Sequence, residues 1–283
     1  MERRTALKSI SAGSLATIMP FKSLPPIDHS ERKFFHSVCR WCFSKYSLEE
    51  LSDMAKDAGI QSIELLNPEE WDLVLNRGLK VALSNGSSLG IPRGWNNLKN
   101  HGQLQADLLA LIPKAAEKGI PHIIVFSGNR NGISDDEGIE ACAKGLDPIV
   151  RYAQQYNIQI VMELLNSKID HADYQCDHTP WGVKLVDKIG SSHFKLLYDI
   201  YHMQIMEGDV IRTITDYKDY IGHYHTAGVP GRHEIDHTQE LQYPAIMNAI
   251  AATGFCGYVA QEFIPAAADP LKSLKEAIRI CSV

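Results

Sequence analysis

An alternation of short apolar segments with amphipathic segments, repeated eight times, is the feature that most constrains how this 283-residue chain can fold. Many of the apolar segments are almost continuously hydrophobic, which is typical of parallel strands buried on both faces. Eight strand–helix units predict a closed (β/α)8 TIM barrel of the α/β class in a single domain. An open doubly wound sheet is the alternative, although no G-x-G-x-x-G follows the first strand. The predicted strands span residues 33–41, 61–66, 79–84, 122–127, 158–164, 194–199, 221–226 and 257–263.

The segments between these strands carry helix signals. Ser47 and Glu50 have the spacing of a capping box, and Gly59 stands where a helix commonly ends. Thr179 in the capping position, followed by Pro180, marks the start of another helix. The predicted helices span residues 47–58, 69–77, 103–118, 135–156, 179–189, 209–220, 243–253 and 271–281.

The first residues, 1–30, differ in character from the rest of the chain. The pair Arg3 and Arg4, followed by a weakly apolar stretch rich in Ser and Ala, resembles a twin-arginine export signal. That resemblance implies a periplasmic protein, and a disordered basic tail on a cytoplasmic protein is the alternative. In both cases the barrel is predicted to occupy residues 31–283.

Charge and cysteine content restrict the partners. The formal net charge of −6 counts against nucleic acid or an anionic membrane as a principal partner, and no apolar run is long enough to cross a bilayer. The six cysteines form no repeating framework. Cys39 and Cys42 form a C-x-x-C with neither a following helix nor a second pair, so we interpret them as structural. A small molecule is the expected partner, and the sequence leaves a homo-oligomer open.

Polar side chains stand at the carboxyl ends of four consecutive predicted strands. The fifth strand places Glu163, the sixth Asp199, the seventh His225 and the eighth Glu262. In a barrel these ends meet at one mouth, where active sites lie. Three carboxylates brought together repel one another unless a cation neutralises them. Carboxylate oxygens with one imidazole suit Mn²⁺, Mg²⁺ or Co²⁺, and less tightly Zn²⁺, so the sequence predicts one divalent metal ion bound by these four residues.

Four motifs around these residues resemble the xylose isomerase-like TIM barrel enzymes: E-L-L-N (163–166), D-I-Y-H (199–202), H-Y-H-T (223–226) and Q-E-F (261–263). Three more resemble the hydroxypyruvate isomerase branch: S-V-C-R-W-C (37–42), I-E-L-L-N-P-E-E-W (63–71) and V-P-G-R-H-E (229–234). The resemblance covers essentially the whole chain after residue 33. It implies a metal-dependent isomerase of a small hydroxy-carbonyl compound, most directly hydroxypyruvate, which becomes tartronate semialdehyde through an ene-diolate.

The resemblance also implies roles for the four strand-end residues. Glu163 and Glu262 would exchange the proton between adjacent carbons while also binding the metal. Asp199 and His225 would complete the metal shell. The ion would polarise the substrate oxygens and stabilise the charge that develops on them.

Further residues are candidates for binding the substrate. By their position in the family motifs, His202 and Arg232 would hold it, and the Arg232 guanidinium suits the carboxylate of hydroxypyruvate. His101 falls near a loop at the same face and is a third candidate for binding substrate. Other residues on or near these loops that could line the pocket are Glu69, His171 and Trp181.

Two positions depart from the hydroxypyruvate isomerase pattern. Those enzymes usually carry Gln where His225 stands, whereas ketose 3-epimerases carry His. The epimerases in turn have a substrate-contacting Glu at the position of Ile169. A ketose 3-epimerase or related sugar isomerase/epimerase is therefore the alternative function. From other classes, a repair endonuclease needs more metal ligands and a basic groove, and a barrel that only binds sugar has no need for two paired glutamates.

Overall fold

Eight parallel strands form the centre of the molecule in the computed structural model, which describes residues 34–283. They are β1 (Phe35–Cys39), β2 (Ser62–Glu64), β3 (Leu83–Ser84), β4 (His122–Val125), β5 (Gln159–Glu163), β6 (Phe194–Asp199), β7 (Ile221–Thr226) and β8 (Tyr258–Gln261). Their order is β2-β1-β8-β7-β6-β5-β4-β3, and parallel bridges from Ser62 to Lys80 and from Leu66 to Ser84 link β2 to the β3 side. The sheet is therefore a nearly closed barrel, and the predicted TIM barrel is confirmed. The predicted export signal, residues 1–30, lies outside the described residues.

Helices cover the outside of the barrel. Within the described residues they are α1 (Leu48–Asp57), α2 (Pro68–Asn76), α3 (His101–Glu117), α4 (Asp135–Gln155), α5 (Thr179–Ile189), α6 (Ile200–Met206), α7 (Val210–Asp216), α8 (Tyr243–Ala252) and α9 (Pro270–Cys281). The predicted capping box is present, because the Ser47 hydroxyl accepts from the Glu50 N–H at 3.1 Å and the Glu50 carboxylate accepts from the Ser47 N–H at 2.7 Å. In α5 the cap position is His178, one residue before the predicted Thr179. No helix in this part of the chain is long and apolar enough to cross a membrane.

Several strands are shorter than predicted because apolar residues can be buried without joining the hydrogen-bonded ladder. The third predicted strand, 79–84, pairs with β4 through Leu83 and Ser84 alone. The first ends at Cys39, and residues Arg40–Phe43 form a 3-10 helix instead. The last ends at Gln261, so Glu262 is the first residue beyond its strand.

The largest difference from the predicted elements follows β6. The sequence predicts one helix over 209–220, whereas the structure has α6, then α7, then a 3-10 helix at Lys218–Tyr220. Asp199 caps α6, since its Oδ1 accepts hydrogen bonds from the N–H groups of Tyr201 at 2.8 Å and His202 at 3.3 Å. The prediction missed α6 because seven residues are too few to show a helical period clearly.

One half of the barrel interior is apolar. Its buried cluster, on the strands from β3 to β6, consists of Leu83, Ile124, Val161 and Leu197. Because side chains alternate along a strand, Glu163 lies on the same inner face as Val161, and Asp199 on the same face as Leu197. The two acids therefore stand at the carboxyl end of the barrel, next to this buried apolar cluster.

Candidate active site

A cavity of about 650 Å³ opens at the carboxyl ends of the strands. Four of the predicted site residues line it: Glu163, His202, Arg232 and Glu262. Much of the remaining wall is apolar and includes Leu65, Ile124, Phe126 and Leu165. A concave, mostly apolar pocket with a few convergent polar groups is the usual form of a site for a small molecule.

The four predicted metal ligands come together beside this cavity. One ligand atom from each of Glu163, Asp199, His225 and Glu262 lies within 4.8 Å of the others, and all four residues are buried. His225 Nδ1 is 2.6 Å from Glu262 Oε2 and 3.2 Å from Glu163 Oε1. Within the described residues, neither His225 Nδ1 nor Glu163 Oε1 has a partner in hydrogen-bond geometry. Lone pairs that converge in this way, with this donor set, fit a divalent cation.

The ionisation of the cluster depends on burial and on two positively charged side chains, His225 and Arg232. Burial raises the pKa of Glu163 to about 7 and that of Asp199 to about 6. Burial alone would also raise the pKa of Glu262. The positive charges of His225 and Arg232 outweigh this effect and hold the pKa of Glu262 well below its usual range. Burial lowers the pKa of His225, yet the surrounding carboxylates, Glu262 first, raise it well above its usual value. Glu262 therefore carries a full negative charge, and a divalent cation would offset the cost of ionising Glu163 and Asp199 beside it.

Arg232 also contacts these acids. Its Nη2 donates to Asp199 Oδ2 at 2.9 Å and also to Glu262 Oε2, and its Nη1 faces His202 Nε2 at 2.7 Å. The backbone of Arg232 has a φ of 60°, a left-handed conformation that is unfavourable for a residue with a side chain and is common at functional sites. The Arg232 N–H donates to Gly228 O at 3.0 Å, and its carbonyl accepts from the Ile264 N–H at 2.7 Å, which holds the loop in this conformation.

His202 lies on the first turn of α6 and is almost fully buried. Its Nδ1 is 2.6 Å from Asn166 Nδ2, while the Asn166 Oδ1 accepts from the N–H groups of Ile169 and Asp170. Burial lowers the pKa of His202 well below its usual value, and the neighbouring Arg232 adds to the effect. The imidazole is therefore neutral and held in a fixed orientation at the cavity wall.

Trp41 is a contact that the sequence prediction missed. Its Nε1 donates to Glu262 Oε1 at 2.7 Å, and 43% of its surface is exposed at the cavity. The Arg232 guanidinium lies 5.4 Å from the Trp41 ring centroid and 4.8 Å from that of Tyr201, within cation–π range. The C-x-x-C residues on either side, Cys39 and Cys42, are buried free thiols.

Glu64 at the end of β2 is a second residue that was missed as part of the site. Its Oε1 accepts from His223 Nε2 and from His225 Nε2, both at 2.8 Å, and the carboxylate is completely buried. Burial acts to raise the pKa of Glu64, but the two histidines outweigh it and bring that pKa to about 2. The sequence contained a signal that could have identified Glu64, because the letters E-L-L-N occur both at 64–67 and at 163–166, where they begin with Glu163.

The structure places three of the four other candidate pocket residues away from the cluster. His101 begins α3, where its Nε2 lies 2.8 Å from the Trp95 carbonyl and its ring packs against Gly145 of α4, outside the residues that line the cavity. Trp181 is buried in the core on α5, and Glu69 lines a neighbouring surface groove. His171, in contrast, lines the cavity and packs its ring 5.3 Å from that of His202.

The fold and the converging ligands define a TIM barrel with a candidate divalent metal centre at its carboxyl end. Residues 28–281 match the family described as Xylose isomerase-like TIM barrel, and the chain belongs to that family. It is 36% identical over 236 residues to hydroxypyruvate isomerase of Escherichia coli, covering 79% of this chain and 90% of that protein. This confirms the resemblance to the hydroxypyruvate isomerase branch.

Two further comparisons agree with this placement. The chain is 28% identical over 231 residues to 2-oxo-tetronate isomerase of Cupriavidus necator, covering 78% of this chain and 88% of that protein. Among solved structures, an AP endonuclease of family 2 from Brucella melitensis matches with a TM-score of 0.74 at 21% identity, covering 87% of this chain and 97% of that one. At that identity the structural likeness shows the fold alone.

Proposed function

We propose that this protein is a metal-dependent isomerase of a small hydroxy-keto acid, with hydroxypyruvate and tartronate semialdehyde as its substrate and product. The observation that carries the proposal is the convergence of Glu163, Asp199, His225 and Glu262 within 4.8 Å beside the cavity. The identity of 36% to a hydroxypyruvate isomerase supports the same reaction class.

The proposed reaction needs two acid–base groups on one substrate. One glutamate removes a proton from C3 of hydroxypyruvate, and the other delivers a proton to C2, while the hydroxyl proton passes from the C3 oxygen to the C2 oxygen. The first glutamate then loses its proton to solvent and the second regains one from solvent, so atoms and electrons balance over a turnover without an external oxidant or reductant. Glu163 and Glu262 suit this exchange because both carboxylates line the cavity and lie close to each other at His225 Nδ1, at 3.2 Å and 2.6 Å. A divalent ion held by the four ligands would polarise both oxygens and stabilise the developing negative charge.

Arg232 and His202 would orient the substrate. Arg232 is the only Lys or Arg among the described residues that line the cavity, and its planar guanidinium fits a carboxylate. Both ring nitrogens of His202 already face other groups, Asn166 and Arg232, so His202 would act on the substrate by holding Arg232 in place. Trp41, through its bond to Glu262, would keep one carboxylate oxygen fixed while the other faces the reacting atoms.

A ketose 3-epimerase is the second candidate. His225 favours it, because the epimerases carry His at this position. Ile169 counts against it, since this apolar side chain is 71% exposed at the cavity where the epimerases carry a substrate-contacting Glu. A protein treated with EDTA and reloaded with Mn²⁺ or Mg²⁺ should isomerise hydroxypyruvate faster than it epimerises common ketoses. Turnover of ketoses alone would support the epimerase instead.

We also propose that residues 1–30 direct export to the periplasm. The support is the pair Arg3 and Arg4 ahead of a weakly apolar stretch. Fusion of this segment to a reporter that must be exported already folded tests the proposal. Export should stop when both arginines are changed to Lys, and export that persists would contradict it.

A further inference from the structure

Glu64 is a buried carboxylate that the proposed proton exchange does not use. It ends β2, on the opposite side of the barrel from β5 and β6, and has no exposed surface. A carboxylate in such a place is costly unless hydrogen bonds compensate it. Its Oε1 receives two of them, from the Nε2 atoms of His223 and His225, each at 2.8 Å.

The two nitrogens of the His225 ring face different groups. Nε2 faces Glu64, and Nδ1 faces the oxygens of Glu262 and Glu163 at 2.6 Å and 3.2 Å. A ring that donates its Nε2 hydrogen to a carboxylate presents the lone pair of Nδ1 on the other side when the ring is neutral. Histidines that bind metals are commonly oriented by such a carboxylate behind the ring.

We propose that Glu64 is a positioning residue for the candidate metal centre: it fixes the orientation and tautomer of His225, so that Nδ1 faces the cation, and makes that nitrogen a stronger ligand. This inference rests on the proposed function, because it assigns Glu64 a role only if the four ligands hold a metal ion.

His223 provides a matched control within the same cluster. It donates to the same oxygen of Glu64 at the same distance of 2.8 Å and is equally buried. Its Nδ1, however, has no hydrogen-bond partner among the described residues, and His223 is not one of the four converging ligands. A change at His223 therefore disturbs the buried cluster but leaves the contact between Glu64 and His225.

Titration of Mn²⁺ into EDTA-treated protein tests the inference. The affinity of Glu64→Gln should fall about 10- to 100-fold, the usual effect of losing a group that orients a metal ligand. His223→Gln should keep the wild-type affinity. An unchanged affinity in Glu64→Gln, or an equal loss in both variants, would overturn the inference and leave the proposed function standing. A wild type that binds no Mn²⁺ would overturn both.

The number of Mn²⁺ ions bound in the same titration tests whether Glu64 is itself a metal ligand. Glu64, His223 and His225 also lie close enough together to hold an ion themselves. One Mn²⁺ per chain is expected. A second ion that is lost in Glu64→Gln would show that Glu64 is a ligand and would overturn its assignment as a positioning residue.

A measurement on the wild type covers the case in which Glu64→Gln does not fold. In protein loaded with Zn²⁺ and labelled with ¹⁵N in histidine, the His225 ring should carry a hydrogen on Nε2 and bind the ion through Nδ1. A His225 that binds Zn²⁺ through Nε2, or lacks the Nε2 hydrogen, would refute the inference whatever the stability of the variants.

Discussion

Arg232 donates a hydrogen bond to Asp199 Oδ2 at 2.9 Å, and the same nitrogen contacts Glu262, which is another of the candidate metal ligands. The guanidinium is nearly buried, so it compensates acids that have little access to water. A divalent cation on the same carboxylates would neutralise the same charges. The contributions of Arg232 and of a bound metal ion to stability should therefore overlap.

This overlap predicts how Arg232→Met behaves. Removing one partner of a buried charge cluster commonly costs about 3–5 kcal/mol, so the variant should unfold at a clearly lower temperature in EDTA. Excess Mn²⁺ should restore more of the melting temperature in the variant than it adds to the wild type, since the ion takes over the compensation. Arg212→Met, at an exposed ion pair with Asp209, is the control and should change little in either condition. An equal loss with and without Mn²⁺ would show that the contributions are independent.

The two oxygens of Asp199 have separate partners, and this allows a direct test of the candidate metal centre. Oδ1 caps α6 through the N–H groups of Tyr201 and His202, whereas Oδ2 faces Arg232. Asp199→Asn keeps an oxygen for the cap and loses the negative charge, so the variant should fold yet lose most of its Mn²⁺. Elemental analysis after dialysis measures this, with the exposed Asp209→Asn as the control. A variant with the metal content of the wild type would argue against the site.

The structure brings together the four strand-end residues that the sequence singled out for the candidate site. Glu163, Asp199, His225 and Glu262 follow from the rule that functional residues stand at the carboxyl ends of barrel strands. Glu64 was missed although it also ends a strand, because its role depends on a contact with His225, 161 residues away. Such a contact is set by barrel closure and register, which a local pattern does not show.

His101 and Trp41 also show what a local sequence pattern does not reveal: His101 was wrongly included among the pocket residues, and Trp41 was missed. His101 was a candidate because it lies near a loop at the correct face, but the ring turns toward Gly145 of α4. Trp41 was placed in a strand, whereas the 3-10 helix at Arg40–Phe43 turns it to Glu262. The conformation of a single turn of backbone decides whether a side chain lines the cavity. The ends of helices and strands are the features that are hardest to predict from a sequence.

The hydrogen bonds of Tyr174 predict an effect on stability close to the candidate site, with no role for Tyr174 in the reaction. Its buried hydroxyl donates to the Glu163 carbonyl at 2.9 Å and accepts from the Ser127 N–H at 3.0 Å. Tyr174→Phe leaves both backbone groups buried without this partner, so the free energy of unfolding should fall by about 1–3 kcal/mol. Urea denaturation measures the change, and Tyr156→Phe on the surface of the same protein should have almost no effect. A loss no larger than that of the control would mean that water or a shift of the backbone replaces the hydroxyl.

The two glutamates should respond differently to the same substitution, because their surroundings differ. Glu262 Oε1 accepts from Trp41 Nε1, so a Gln at this position would keep its oxygen on Trp41 and turn its amide nitrogen toward His225 and the proposed metal position. Glu163 Oε1 has no hydrogen bond within the described residues, so a Gln there remains free to offer its oxygen to the ion. Glu163→Gln should therefore keep more Mn²⁺ than Glu262→Gln.

Glu163→Gln is for that reason the sharper test of proton exchange. An amide cannot take a proton from carbon, so the rate of isomerisation should fall by about 10²-fold or more while Mn²⁺ remains bound. In deuterium oxide the wild type should exchange the hydrogen on C3 of hydroxypyruvate, and Glu163→Gln should lose that exchange. Glu240→Gln, at an exposed position, controls for the substitution itself. If Glu163→Gln retains Mn²⁺ and exchanges at the wild-type rate, then Glu163 is a ligand and not a base, and the proton must be carried by another group at the cavity.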